Sequence, residues 1–253
     1  MLSERTWRVE GVARMLIGLI VTAFCLMLLA GALRQVTGDI SSEHKTLFDI
    51  IVGALIFQGV ALLWIFNFLR EEKLTFRTAF GFSLPTVPRA LLFGVLAGVC
   101  VVPIAWTLQI VSVQLLNLFN WSPQSQELVR TFQQSAKAAS DPELLRQQIA
   151  FGISVIVLAP ISEELLFRGI LYPTIKNFGF PKVALWTSAI VFALMHQNMA
   201  GMIPFIFLGI VLVKVYEETD NLLAPILVHS LFNTANFLYM LFEVPINKFL
   251  FRS

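Results

Sequence analysis

The sequence predicts an all-α, polytopic transmembrane helical bundle of about seven spans, within a range of six to eight. Three observations lead there. Hydrophobic residues make up 57% of the 253 and charged residues only 13%, about half the ~25% of a soluble domain. The apolar residues gather in blocks close to the ~20 residues that cross a ~30 Å hydrocarbon core, and do not alternate in short strand-like runs. In lipid, a helix satisfies its own backbone polar groups, which makes helices the natural content of such blocks.

The blocks are taken in order. The first, 15 to 33, follows Arg5, Arg8 and Arg14 and has the charged start of a signal peptide. It is longer than the usual apolar region of one and further spans follow, so a retained first span is expected; Ala30-Gly31-Ala32 is the cleavage alternative. A second span covers 47 to 69. Residues 70 to 88 mix Arg70-Glu71-Glu72-Lys73 with Phe76, Phe80 and Phe82 and read as an interfacial stretch. The third span is 89 to 118. Residues 119 to 147 are polar and rich in Gln and Ser, a connector or an amphipathic cap over a site, with the connector favoured. Within them, Asp141-Pro142-Glu143 has the form of a helix start. The remaining spans are 148 to 175, 183 to 197, 200 to 216 and 222 to 243.

With no internal repeat, a single membrane domain is expected over 1 to 253, and a cell membrane is its expected location. Lys and Arg favour the connections on the N-terminal side, which places the N-terminus in the cytoplasm by the positive-inside rule. A net charge of +2 with no basic run excludes nucleic acid as a partner. Membrane lipid is the expected surroundings. Cys25 and Cys100 lie in apolar stretches and predict no disulfide framework.

Ionisable side chains inside spans are costly and tend to be functional. Most of the sixteen acidic residues sit in connections. Glu-Glu occurs three times, and only Glu163-Glu164 has long apolar runs on both sides. Arg168 stands four residues after Glu164, so one helix face pairs the two. Successive helical residues point about 100° apart, which leaves Glu163 facing elsewhere. An intramembrane ion pair that fastens two helices is the plain structural alternative, and it leaves Glu163 unexplained.

Of the three histidines, His44 sits in the polar connection Ser41-Ser42-Glu43-His44-Lys45 and reads as a surface residue. His196 and His229 fall in the last membrane block, and Asn233 follows His229 by one turn. At ~1.5 Å per residue, Glu163 lies ~20 Å from Lys176 and His196 ~21 Å from Lys182, while His229 and Asn233 lie ~12 and ~18 Å from Asn221. Those connections are two spans apart and lie on one side, so the four groups share a layer of the membrane. Such a set can hydrolyse an amide: glutamate and histidine take a proton from water, and histidine and asparagine donate to the oxyanion. The same groups could instead bind a divalent metal, because two His and one Glu form a known catalytic zinc set. The chain has no His-Glu-x-x-His helix and no Gly-x-Ser-x-Gly elbow, so those protease designs are unsupported.

Glu163-Glu164-x-x-x-Arg168, Phe192-x-x-x-His196 and His229-x-x-x-Asn233, complete and in this order, resemble the three motifs of the CPBP (CAAX protease and bacteriocin-processing, or Abi) intramembrane proteases. That family includes the type II CAAX prenyl endopeptidases. The resemblance covers the segment 148 to 243 as a catalytic core and leaves 1 to 147 without an assigned role. It implies an endopeptidase in which Glu163 and His196 activate water, His229 and Asn233 form the oxyanion hole, and Glu164, Arg168 and Phe192 support the site. It leaves the cofactor as none or a divalent metal such as zinc, which Glu163, His196 and His229 would then hold. Asn233, a poor zinc ligand and a good oxyanion donor, favours the metal-free route. The expected partner is a peptide or membrane-protein substrate. Two further readings stand beside this one. A proton- or ion-coupled transporter would use Glu163, Glu164 and Arg168 as a relay, although no paired broken-helix repeat accompanies them. A membrane scaffold would keep the residues without turnover.

Overall fold

The computed structural model describes residues 1–37, 42–82, 84–121 and 142–250, and every regular element among them is helical. Helix α1 is Val9–Thr37. Helix α2 joins Ser42–Ala54, a π turn at Leu55–Gly59 and Val60–Glu71 into one run. A short helix α3, Phe76–Phe80, precedes α4, Val87–Leu118. Helix α5 runs Pro142–Lys176, followed by α6, Pro181–Met195, α7, Met202–Thr219, and α8, Leu223–Leu250.

The seven long helices fall on the seven expected spans, with ends that differ. The first extends from Val9 and the fourth begins at Pro142, where proline's missing N–H costs nothing in a first turn. Residues 122 to 141, which hold most of the expected connector or cap and Asp141, lie outside the described residues. Four helices are long and apolar enough to cross a membrane: Val9–Leu33, Thr46–Glu71, Val87–Leu118 and Pro142–Lys176. Helix α6 has only 15 residues, ~22 Å, which is short of a ~30 Å core. The α6–α7 hairpin, with residues 196 to 201 at its tip, is therefore too short on its α6 side to cross that core.

Residues 70 to 88, the expected interfacial stretch, lie at one end of the helices. Thr75 and Thr78 close a capping box at the start of α3, and Phe80 is fully buried with its carbonyl accepting from Leu222 N at 3.0 Å. Phe76 and Phe82, partly buried, pack against that core. The same end holds the N-terminus. Arg8 and Arg14 pair with Glu72 and Glu71 at 2.7 and 2.9 Å, and Lys176 pairs with Glu217 at 2.8 Å. These pairs tie the start of α1 to the end of α2, and the end of α5 to the end of α7.

Helix α4 packs along α8 through Gly94 and Gly98. A side chain at either would press on Leu227 or Leu231, so this small-xxx-small face brings the backbones close. Helix α5 is irregular in two places. Its π turns, Ser154–Leu158 and Phe167–Leu171, each contain the carbonyl four residues before a proline, Pro160 or Pro173. Proline has no N–H to fill that carbonyl, and the turn widens. The Gly169 carbonyl accepts instead from the Trp7 indole at 2.9 Å. Between the two wide turns stands Ala159–Leu166, which carries Glu163 and Glu164.

Candidate active site

Helix α5 presents its two glutamates to different neighbours. Glu164 and Arg168, four residues apart, are both completely buried and paired at 2.9 Å. Arg168 Nη2 also donates to the Gly209 carbonyl of α7 at 3.2 Å, and its guanidinium lies 4.4 Å from the centre of the Phe192 ring. This approach needs α7 close at hand. At Gly209 a Cβ would lie 2.8 Å from the Ala189 backbone of α6, so only glycine permits the crossing. The pair is incompletely satisfied, since Glu164 Oε2 and Arg168 Nε have no partner. It specifies geometry more than it stabilises.

Glu164 Oε1 has a second partner, Nδ1 of the buried His229 at 2.9 Å. A carboxylate can only accept, so that nitrogen carries the proton and Nε2 faces the other way. His196 has the same arrangement by another route. Its Nδ1 lies 2.8 Å from the Phe192 carbonyl one turn earlier, again an acceptor, and its ring stacks on Phe205 at 4.2 Å. Both Nε2 atoms converge on one point, each 3.9 Å from Glu163 Oε2. Glu163 Oε2 is buried and has no hydrogen-bond partner among the described residues. Phe192 is the hub of the packing, in ring contact with Phe167, His196 and His229.

Asn233 lies one turn beyond His229, and its Nδ2 donates to the Val155 carbonyl at 2.7 Å, inside the first π turn of α5. One amide hydrogen remains. Glu163, His196 and Asn233 line a single cavity of about 550 Å³. Its far wall runs along α8 through Asn236, Phe237, Tyr239 and Met240.

Each residue expected from the motifs therefore has a place in one cluster or on the cavity beside it. His44 lies in the first turn of α2. The sequence reading missed Phe205, the Gly209 and Val155 carbonyls, and the amides Gln58, Gln109, Asn198 and Asn236 that line the cavity. The amides carried a usable signal, being polar residues within apolar blocks, but the reading sorted only acids and histidines. The carbonyls carry none.

As ligands, Glu163, His196 and His229 each offer an atom within 4.8 Å of the others. The residues fit a divalent metal. Both imidazoles turn Nε2 toward the site and hold Nδ1 on a carboxylate or a carbonyl, as metal-binding histidines do, and Glu163 Oε2 is an orphaned buried acceptor.

Residues 145–235 match the family described as type II CAAX prenyl endopeptidase Rce1-like. The motif-bearing part of the chain is thus similar to Rce1-like proteins. Its similarity extends to UPF0177 protein YxdF of Lactococcus lactis subsp. lactis (strain IL1403), 35% identical over 78 residues, which are 30% of this chain and 42% of that protein. UPF0177 protein YaiF of the same strain is 33% identical over 88 residues, 34% of this chain and 39% of that protein. The UPF0177 protein in the abiGi 5' region of Lactococcus lactis subsp. cremoris is 33% identical over 103 residues, 36% of this chain and 43% of its own length. The chain thus matches less than half the length of these curated relatives. No solved structure matches it. The Rce1-like segment contains all three motifs and excludes α1 to α4.

Proposed function

We propose that this chain is an intramembrane endopeptidase that hydrolyses a peptide bond in a membrane-associated peptide or protein. The observation that carries the reading is the convergence of the His196 and His229 Nε2 atoms, 3.9 Å each, on the unpartnered Glu163 Oε2. A water at that point donates one hydrogen to Glu163 and the other to His196 Nε2. Its lone pair then faces the cavity where a scissile carbonyl would stand. Glu163 takes the proton as the water attacks, and returns it to the leaving amine when the tetrahedral intermediate collapses.

The free Asn233 hydrogen donates to the oxyanion. His229 joins it only with a second proton on the ring, because Nδ1–H is committed to Glu164. Glu164 and Arg168 act by holding that imidazole, and Phe192 by packing on both rings. If the site takes a divalent cation, Glu163, His196 and His229 hold it, and it supplies acidification of the bound water. Metal analysis of the purified chain, with turnover before and after chelation, separates the two routes. Full turnover without metal assigns the water to Glu163 and His196.

The N-terminal end, with the greater share of Lys and Arg, faces the cytoplasm in this reading, and the cell membrane is the proposed location. The deciding experiment compares peptides from cells carrying wild-type protein and Glu163→Gln. Glu163→Gln should abolish turnover, at least ~10³-fold as for a lost nucleophile-activating base, while its thermal midpoint stays near wild type. Identical peptide populations in the two strains would sink the reading.

A further inference from the structure

Helix α2 lies outside the Rce1-like segment, yet it enters the cavity wall at Gln58. Gln58 stands thirteen residues before Glu71, and Glu163 thirteen before Lys176. Each lies ~20 Å along its helix from that charged residue, and both line the one cavity. Gln58 sits in the π turn Leu55–Gly59, which packs against Ala159–Leu166 of α5. No proline follows to force this turn, and π turns of that kind gather at functional sites.

The cavity's other amides are largely committed. Asn233 holds the Val155 carbonyl, Asn236 accepts from the Trp106 indole and donates to the Phe232 carbonyl, and Asn198 caps Gly201 N. Gln58 Oε1 is buried and has no partner among the described residues. It shares that condition with Glu163 Oε2 on the same cavity. Two unsatisfied buried acceptors cost free energy until donors arrive. Water meets the requirement at Glu163. At Gln58 the fitting group is a peptide, because a carboxamide offers an acceptor and a donor side by side and an extended backbone presents the complementary N–H and C=O.

We infer that Gln58 is a substrate-binding residue that takes a backbone N–H of the peptide on its Oε1 and steadies the chain beside Glu163. The inference rests on the endopeptidase reading for its purpose, but its test does not need turnover. The full chain carrying Glu163→Gln is titrated, by fluorescence anisotropy in detergent, with two labelled hexapeptides. One ends in a farnesylated Cys-Val-Ile-Met and the other is unmodified with an apolar sequence. Each is also made with its backbone amides N-methylated one at a time.

Adding Gln58→Leu, which keeps size and suits the membrane, should weaken binding about tenfold, the loss of one well-made buried hydrogen bond. One N-methyl position should give the same loss in the Gln58 protein and no further loss in Gln58→Leu. A merely structural role for Gln58 would leave that N-methyl effect in place. Where turnover is measurable, Gln58→Leu should raise KM with kcat held within threefold. Equal affinity with and without Gln58→Leu overturns the inference, as does no binding of either peptide. Gln58-dependent binding by a wild-type chain that cleaves neither peptide and changes no cellular peptide leaves the inference standing and removes the endopeptidase reading.

Discussion

Replacing Arg168 with methionine tests whether the support beneath His229 is an ion pair in a dry interior. In wild type Glu164 is completely buried, and its Oε1 takes both Arg168 Nη1 and His229 Nδ1 at 2.9 Å, while Oε2 has nothing. Arg168→Met leaves a buried carboxylate with one imidazole donor and frees the Gly209 carbonyl. Stranding one partner of a buried pair costs about 3–5 kcal/mol. For a chain of this size that lowers the thermal midpoint by roughly 6–20 °C. Adding Glu164→Leu removes the stranded charge and should recover more than half of the fall, since an apolar pair of similar volume is often no worse than an ion pair. Turnover should not return, because His229 has then lost the acceptor on its Nδ1. The assay is thermal unfolding of purified protein in one detergent, with Arg8→Ala as a control. Arg8 pairs with Glu72 from an exposed position, so its loss should leave the midpoint unchanged. A midpoint for Arg168→Met within ~2 °C of wild type would refute the reasoning.

Three further outcomes are expected. Gly209→Ala should destabilise by about 1–3 kcal/mol as α7 is pushed off α6, whereas Gly31→Ala, with nothing within 4 Å of its Cβ, should be neutral or gain up to ~1 kcal/mol; paired thermal midpoints check both. Trp7→Phe keeps the packing and removes the donor to the Gly169 carbonyl, and should cost about 1–3 kcal/mol in the same assay. In the polar last turn of α7, burial opposes the Glu217 charge, but hydrogen bonds from Lys176, Tyr172 and Lys214 outweigh it and hold the carboxyl at about 2, below its usual 4.5. A lowered value stabilises the fold above about 4.5, and that contribution fades as the pH falls toward 2; Glu217→Gln should flatten this acid limb of the midpoint.

The spans were legible because membrane thickness fixes helix length, and the seven helices fall where the apolar blocks do. Glu163, Glu164 and Arg168 were legible for a similar reason, since charge in an apolar run has no cheap explanation. The burial of Phe80 was not legible. Its charged neighbours signal an interface, and only tertiary packing shows that the aromatic side chains turn into the protein. The tautomers of His196 and His229 were beyond reach, being set by the Phe192 carbonyl and by Glu164 across a helix pair. Gln58 was visible as a polar residue in a span, yet its place on the cavity of Glu163 depends on how the π turn of α2 packs against α5.

The brevity of α6 bears on how the chain meets its bilayer. A helix of 15 residues falls ~8 Å short of the hydrocarbon thickness. Over the α6–α7 tip the lipid must thin or give way to water to cover that mismatch. The hydrolysis proposed above would consume water at this same depth. The missing turns of α6 would then leave a dent in the insulating layer through which that reaction is supplied.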